Sequence, residues 1–299
     1  MMATAITKQQ QVDLREPRSW RSVKSRIMTA LMVLAFVVVI VPLGFVLYTV
    51  ISKGASAISG RFLTSDIPFN VAPLNVGGIG PAVWGTLLIS ALATVIAVPI
   101  GILAAIYITE YGGNRLLTRI IRFMADVMTG VPSIIMGLFL FSIWVIHFGF
   151  SGLAGALALG CLMLPIVIRS SEEMLKLVPD ALREASYALG ASKARVTVTV
   201  VLPAALSGIT SGSLLAVARI AGETAPLLFT ILGGLTAPNL NLFSGANTAL
   251  PLLIFVNASS PYPGAQGRAW GAALTLIAIA LIMLIVARLV TGRVARLSR

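Results

Sequence analysis

Apolar residues gather into six long runs, at 27–51, 82–108, 130–148, 152–170, 204–232 and 269–290. Runs of roughly 20 residues are long enough to cross a hydrocarbon layer of about 30 Å as helices, whose backbone groups satisfy one another internally. The pattern predicts an all-α, polytopic membrane protein with six transmembrane helices. Pro99, Pro165 and Pro226 fall inside these runs, where each removes a helical hydrogen bond and can set a bend. The apolar run 249–256 is too short to span, which leaves open whether it re-enters the layer.

The polar connections are one-sided in charge. The arm before residue 27 holds Lys8, Arg15, Arg18, Arg21, Lys24 and Arg26, and the 109–129 connection holds Arg115, Arg119 and Arg122. The 169–203 connection adds five cations and the C-terminal end, from Arg288 onward, four, so eighteen of the 22 Lys and Arg residues sit on one side. Lys53, Arg61 and Arg268 are on the other, and Arg219 lies within a run. Because Lys and Arg are enriched in cytoplasmic connections, both termini are expected in the cytoplasm. The first run is too long for the core of a cleavable signal and reads as a retained anchor. The chain thus divides into a cytoplasmic arm, 1–26, flexible or resting on the lipid surface, and a transmembrane domain, 27–299, with a long cytoplasmic loop at 171–203.

Composition narrows the chemistry. With 299 residues, 58% hydrophobic and 11% charged, and a mean hydropathy of +0.97, the chain is no water-soluble globule. Its formal charge of +12 is divided among membrane flanks, so it does not indicate nucleic-acid binding. Cys161 is the lone cysteine and His147 the lone histidine, which excludes a disulfide framework and a two-histidine metal helix and speaks against a Ser/His or Cys/His hydrolase. No Gly-Lys-Ser/Thr step occurs, so the chain lacks the phosphate-cradling loop of a nucleotide hydrolase. If ATP drives this protein, another subunit binds it.

Within the loop, Pro179-Asp180 opens and Gly190 closes a short predicted helix. Ala181, Leu182, Ala185 and Leu189 recur at helical spacing, with Asp180, Arg183, Glu184 and Tyr187 on other faces. The apolar side is expected to rest on protein and the polar side to dock. A second element, with Ser192 as a candidate cap, leads through Val200, Leu202 and Pro203 into the fifth run, so force on the loop would reach that span. Glu184-Ala185-Ser186, then Gly190, Val200, Leu202 and Pro203, resemble the EAA loop of ABC importer permeases, with spacing kept and mild departures at Ser186 and Val200. The resemblance implies a type I ABC importer permease fold. It also implies that Glu184, Ala185, Gly190, Leu202 and Pro203 couple the chain to a partner ATPase.

The fifth run carries two charges. An Arg near the centre of a membrane helix costs about 2.5 to 3.5 kcal/mol on insertion scales, so Arg219 and Glu223 require an explanation. On a continuous helix Gly208, Gly212, Ala216, Arg219 and Glu223 would share an arc of roughly 80°, and Arg219 would lie about 22 Å beyond Pro203, near mid-membrane. The stripe of small residues leaves space or admits a neighbouring helix. Two readings stand: a self-satisfied i,i+4 ion pair between helices, or a guanidinium facing an oxyanion pathway with the carboxylate as its companion.

The stretch 214–230, with its Ala221-Gly222-Glu223-Thr224-Ala225-Pro226 core, resembles the corresponding span of the PstA family, permease subunits of phosphate-specific ABC importers. Pro132-Ser133-Ile134 with Gly137, Leu250-Pro251-Leu252 and Ser260-Pro261-Tyr262-Pro263 extend the resemblance over about residues 27–290. Arg169, after the fourth run, matches a basic position of the family and equally suits a topology anchor. The resemblance implies that Arg219, Glu223 and Arg169 lie along the substrate pathway of a plasma (inner) membrane importer. The implied partners are a second, PstC-like permease subunit, PstB-like ATPase subunits and an extracytoplasmic PstS-like phosphate-binding protein. No cofactor is expected in this chain; ATP and Mg belong to the ATPase. Two alternatives remain at this point: a permease for another oxyanion such as sulfate or molybdate, or an independent secondary anion carrier.

Overall fold

The computed structural model describes residues 20–68, 76–234 and 236–297. These residues are almost wholly helical, and the chain divides into two compact units, 1–49 and 50–299. Residues 1–19 of the predicted arm lie outside the described residues, but residues 20–26 belong to the first helix, α1, Trp20–Gly54. Its 35 residues carry Pro42 and extend the predicted first span at both ends.

In the second unit a short helix, α2 (Gly60–Thr64), precedes α3 (Gly80–Ile106), which continues through a wide π turn at Tyr107–Tyr111. Then come α4 (Leu116–Gly130), α5 (Ser133–Leu140) and, after a second π turn, α6 (Ile146–Phe148). α7 is Gly152–Lys176, α8 Asp180–Ala188 and α9 Lys193–Val196. A third π turn, Thr197–Val201, joins α9 to α10 (Leu202–Ile220). α11 (Ala225–Thr230), α12 (Leu250–Ala258) and α13 (Pro263–Leu297) complete the chain. Among the described residues five helical stretches are long and apolar enough to span, or six if α4 with α5–α6 counts as one bent span.

The predicted third span, 130–148, begins instead at Ser133, because Pro132 cannot continue α4 and the two helices meet at 106°. The preceding segment, read as a connection, is the helix α4. Arg115, Arg119 and Arg122 recur at i, i+4 and i+7, whereas Leu116, Ile120, Phe123 and Val127 present an exposed apolar face.

α3 and α7 form the centre of the second unit, because α3 turns a strip of small residues inward. Gly85, Ile89, Ala93, Ala97, Gly101 and Ala105 recur every fourth residue and are all buried. A Cβ at Gly101 would stand 2.7 Å from Cγ1 of Val167 on α7, the close approach that small residues permit between membrane helices. Ile89, Leu159, Met163, Ala216, Leu227 and Leu252 bring α10, α11 and α12 into the same core.

The run 249–256 falls within α12, a short helix with Leu250, Pro251, Leu252 and Leu253 buried against its neighbours. Its approach to α3 is close at Gly85, where a Cβ would lie 1.8 Å from the Thr248 carbonyl oxygen. Beside it the Leu250 amide donates to Thr86 Oγ1 at 2.7 Å. Gly85→Val is therefore expected to push α12 away from α3, costing about 3 kcal/mol, at the upper end of overpacking penalties. The measurement is a lowered melting temperature in detergent with faster proteolysis near residue 248; an unchanged melt would refute the contact.

Candidate functional site

The predicted fifth span, 204–232, is not one helix. α10 stops at Ile220, and α11 starts afresh at Ala225 with Pro226 in its first turn. Inside a continuous helix Pro226 would lack its N–H and press on the carbonyl of Gly222. At the first turn it costs neither, so Pro226 starts a helix rather than bending one. Leu232, Gly233 and Gly234 then adopt positive φ and turn the chain back. At its other end the span starts earlier than expected, since the helical path runs from Lys193 to Ile220. Its π turn lies directly before Pro203, whose ring displaces a carbonyl in the preceding turn. Leu202 and Pro203 consequently sit within one helical rod that connects the loop to the membrane core.

The break decides what Arg219 and Glu223 do. Arg219 occupies the last turn of α10 and Glu223 the link that follows, so they do not face each other on a common helix surface. Among the described residues neither side chain enters a salt bridge. Both instead line one cavity of about 160 Å³, with Thr129, Val131 and Ser133 from the α4–α5 bend and Leu162, Pro165 and Ile166 from α7. Arg219 is exposed and Glu223 half-buried. The self-satisfied ion pair is thereby excluded for this conformation. What remains is a cationic fork and a carboxylate beside two hydroxyls, in a space of about five water volumes.

Residues distant in sequence build this cavity. A Cβ at Gly137 would lie 2.7 Å from Pro226 Cα, so the Pro132-Ser133-Ile134 segment with Gly137 packs on the Ala221–Pro226 segment. The small-residue stripe of α10 admits a helix rather than leaving space. Cβ atoms at Gly208 and Gly212 would meet Met174 Sδ at 2.2 Å and Ser170 Cβ at 2.6 Å on α7.

Arg169 does not line the cavity. It stands one turn beyond Pro165 and pairs with Asp126 of α4 and, at 3.5 Å, with Glu172. Glu172 is fully buried and also binds Arg122 at 2.8 Å and Lys176 at 2.7 Å. Arg169 thus belongs to an ionic cluster that joins α4 to α7, in which three cations share two carboxylates.

α8 has its predicted ends. Gly190, at φ +81°, closes it: the Gly190 amide donates to Tyr187 O at 2.9 Å and the Ala191 amide to Ser186 O at 3.2 Å. That paired pattern needs a left-handed residue after the helix, a conformation only glycine takes without cost. Ser192 takes the cap position of α9 but makes no side-chain capping bond.

The facing of α8 meets the expectation only in part. Ala181, Leu182, Glu184, Ala185, Tyr187 and Leu189 are all exposed, Leu189 at 89%, so the small and apolar side points away from this subunit. Arg183, expected on an outward face, points in. Nη2 donates to Glu110 Oε1 at 3.0 Å and Leu175 O at 2.9 Å, and Nη1 to Asp180 Oδ1 at 3.0 Å and Val178 O at 2.5 Å. Glu110 is not among the residues that the sequence singles out. The one available signal was Glu110, a carboxylate at the end of an apolar run.

Comparison with known proteins places this architecture. Residues 97–296 match the family described as binding-protein-dependent transport system inner membrane component. The chain is 43% identical over 262 residues to the phosphate transport system permease protein PstA 1 of Mycobacterium tuberculosis (strain CDC 1551 / Oshkosh), covering 87% of this chain and 86% of that one. It is 42% identical over 282 residues to PstA of Yersinia pestis, covering 93% and 94%. Among solved structures, a chain of a bacterial alginate ABC transporter superposes with a TM-score of 0.64 at 15% identity, covering 93% of this chain and 98% of that one. A chain of the inward-facing MetNI methionine ABC transporter does so with 0.55 at 18%, covering 73% and 94%. The broken fifth span, the exposed loop helix and the bent α4–α5 pair are thus carried on the type I ABC importer permease fold, and the chain belongs to the family of binding-protein-dependent transport system inner membrane components.

Proposed function

We propose that this chain is the PstA-type permease subunit of an ATP-driven phosphate importer. Identity above 40% with permeases named for phosphate transport, over about nine-tenths of the chain, carries this reading and favours phosphate over sulfate or molybdate. The cavity supplies a chemical basis. A guanidinium offers paired donors to a tetrahedral oxyanion, and Glu223 balances that charge when the site is empty. A single Arg in the subunit suits transit, which requires binding weak enough to release.

In this reading a second, PstC-like permease completes the pathway, PstB-like ATPase subunits with ATP and Mg dock on the outward face of α8, and a PstS-like binding protein delivers phosphate outside. The chain itself is not an enzyme. The ends that carry α4 and α8 face the cytoplasm, as do both termini, in keeping with the Lys and Arg bias. Glu184, Ala185 and Gly190 present the docking face, and the rod through Leu202 and Pro203 transmits its motion to Arg219. Arg169 serves the pathway through the ionic cluster at its inner margin.

Proteoliposomes that contain all four kinds of subunit should take up labelled phosphate with ATP, and excess sulfate or molybdate should not compete. Flux through this chain alone would replace the importer by an independent carrier.

A further inference from the structure

We propose that Arg183 is a positioning residue that clamps the coupling helix to two membrane spans at once, so that the ATPase stroke reaches α3 as well as the α7 and α10 to which the chain already links it. The inference rests on the reading of α8 as the ATPase-facing helix. α8 has nine residues, too few for a stable isolated helix in water, and most of its side chains are exposed. It is tethered to α7 through residues 177–179 and to α9 through Gly190. Chain connectivity alone would deliver a push on α8 to the end of α7 and to α9 and α10, but not to α3.

The Arg183 fork changes this path. Leu175 O lies in the last turn of α7 and Val178 O in the link that follows it, and Arg183 donates to both. The same guanidinium binds the buried carboxylate of Glu110, on the π turn that ends α3. Asp180, on the first turn of α8 itself, holds the other nitrogen. One planar group therefore joins three helices, a geometry that a lysine with a single nitrogen cannot copy. Lys193 of α9 lies 5.3 Å from the ring centroid of Tyr111 on the same turn of α3, a second tie at the same place. α3 and α7 are the packed centre of the unit, so the clamp lets displacement of α8 move the core rather than swing on its links.

The test uses the complete reconstituted transporter, with ATP hydrolysis and labelled phosphate uptake measured together. Glu110→Gln and Arg183→Gln should each leave the ATPase subunits bound and hydrolysing while uptake falls, raising ATP consumed per phosphate about tenfold. The double variant should be no worse than either single, as for two halves of one interaction. Should Arg183→Gln fail to assemble because it strands the Glu110 carboxylate, the double variant, with no stranded charge, carries the comparison with Glu110→Gln. A wild-type ratio in Glu110→Gln and in the double variant overturns the clamp. So do additive effects, or loss of ATPase binding in parallel with uptake, which would make Arg183 a fold support only. If the unmodified complex shows no ATP-dependent phosphate uptake, the importer reading has failed, and the clamp with it.

Discussion

Arg219→Gln is expected to abolish phosphate uptake by the assembled transporter while leaving its assembly and melting temperature unchanged. A hydrogen bond to a charged group contributes about 1.5 to 3 kcal/mol, so replacing a two-pronged guanidinium by an amide forfeits roughly 3 kcal/mol or more of oxyanion stabilisation. That is at least two orders of magnitude in rate or affinity. Folding is spared because the Arg219 side chain is exposed and pairs with no carboxylate among the described residues, so its loss strands no buried charge. Arg219→Lys restores the charge but not the fork, and recovers uptake only in part. Uptake at the normal rate in Arg219→Gln, in transporter shown to be assembled, would remove Arg219 from the pathway. The contrast with Arg169 is instructive: Arg169→Gln would disturb the cluster with Asp126 and Glu172, and its effect should show first in stability.

Glu184→Lys is expected to uncouple ATP hydrolysis from transport. Glu184 is exposed on the outward side of α8 and takes part in no ion pair among the described residues, so reversing its charge should change the stability of the isolated subunit by no more than about 0.5 kcal/mol. Against a partner surface that receives a carboxylate, the same change places like charges together, which costs several kcal/mol. Phosphate uptake should then fall by about two orders of magnitude while ATP hydrolysis continues. The paired measurement is uptake against hydrolysis in one preparation; retained coupling would take Glu184 out of the docking face. Glu184→Lys and Glu110→Gln both uncouple, but for different reasons. The first acts on the surface between subunits, and the second on transmission inside this one.

Several elements were readable from residue order. The first, second and fourth runs coincide with α1, α3 and α7, and the ends of α8 follow from Pro179-Asp180 and Gly190. Other elements are hidden in the sequence for identifiable reasons. α4 reads as a connection because three arginines interrupt its hydrophobicity, although their spacing is that of one helix face. The fifth run reads as a single span because apolar content continues past Ile220, whereas Pro226 forces a restart. The apolar stripe of α8 reads as an inward face because such a stripe normally rests on the protein that bears it; in the fold it is exposed, and Arg183 is the side chain that turns inward.

The order of residues alone determined the class of the protein, most of its spans, the side on which its cations gather and the limits of its loop helix. Those properties are local, since a helix must match the hydrocarbon thickness and its ends must satisfy their own backbone groups. Only the tertiary structure decided which charges are paired and which are left facing a cavity. Arg183 meets Glu110 across 73 residues, and Arg122 meets Glu172 across 50. Arg219 and Glu223, four residues apart, make no such pair because the helix ends between them. Spacing along a chain states which charges are near in sequence; packing, through breaks and close helix contacts, sets which of them share a surface.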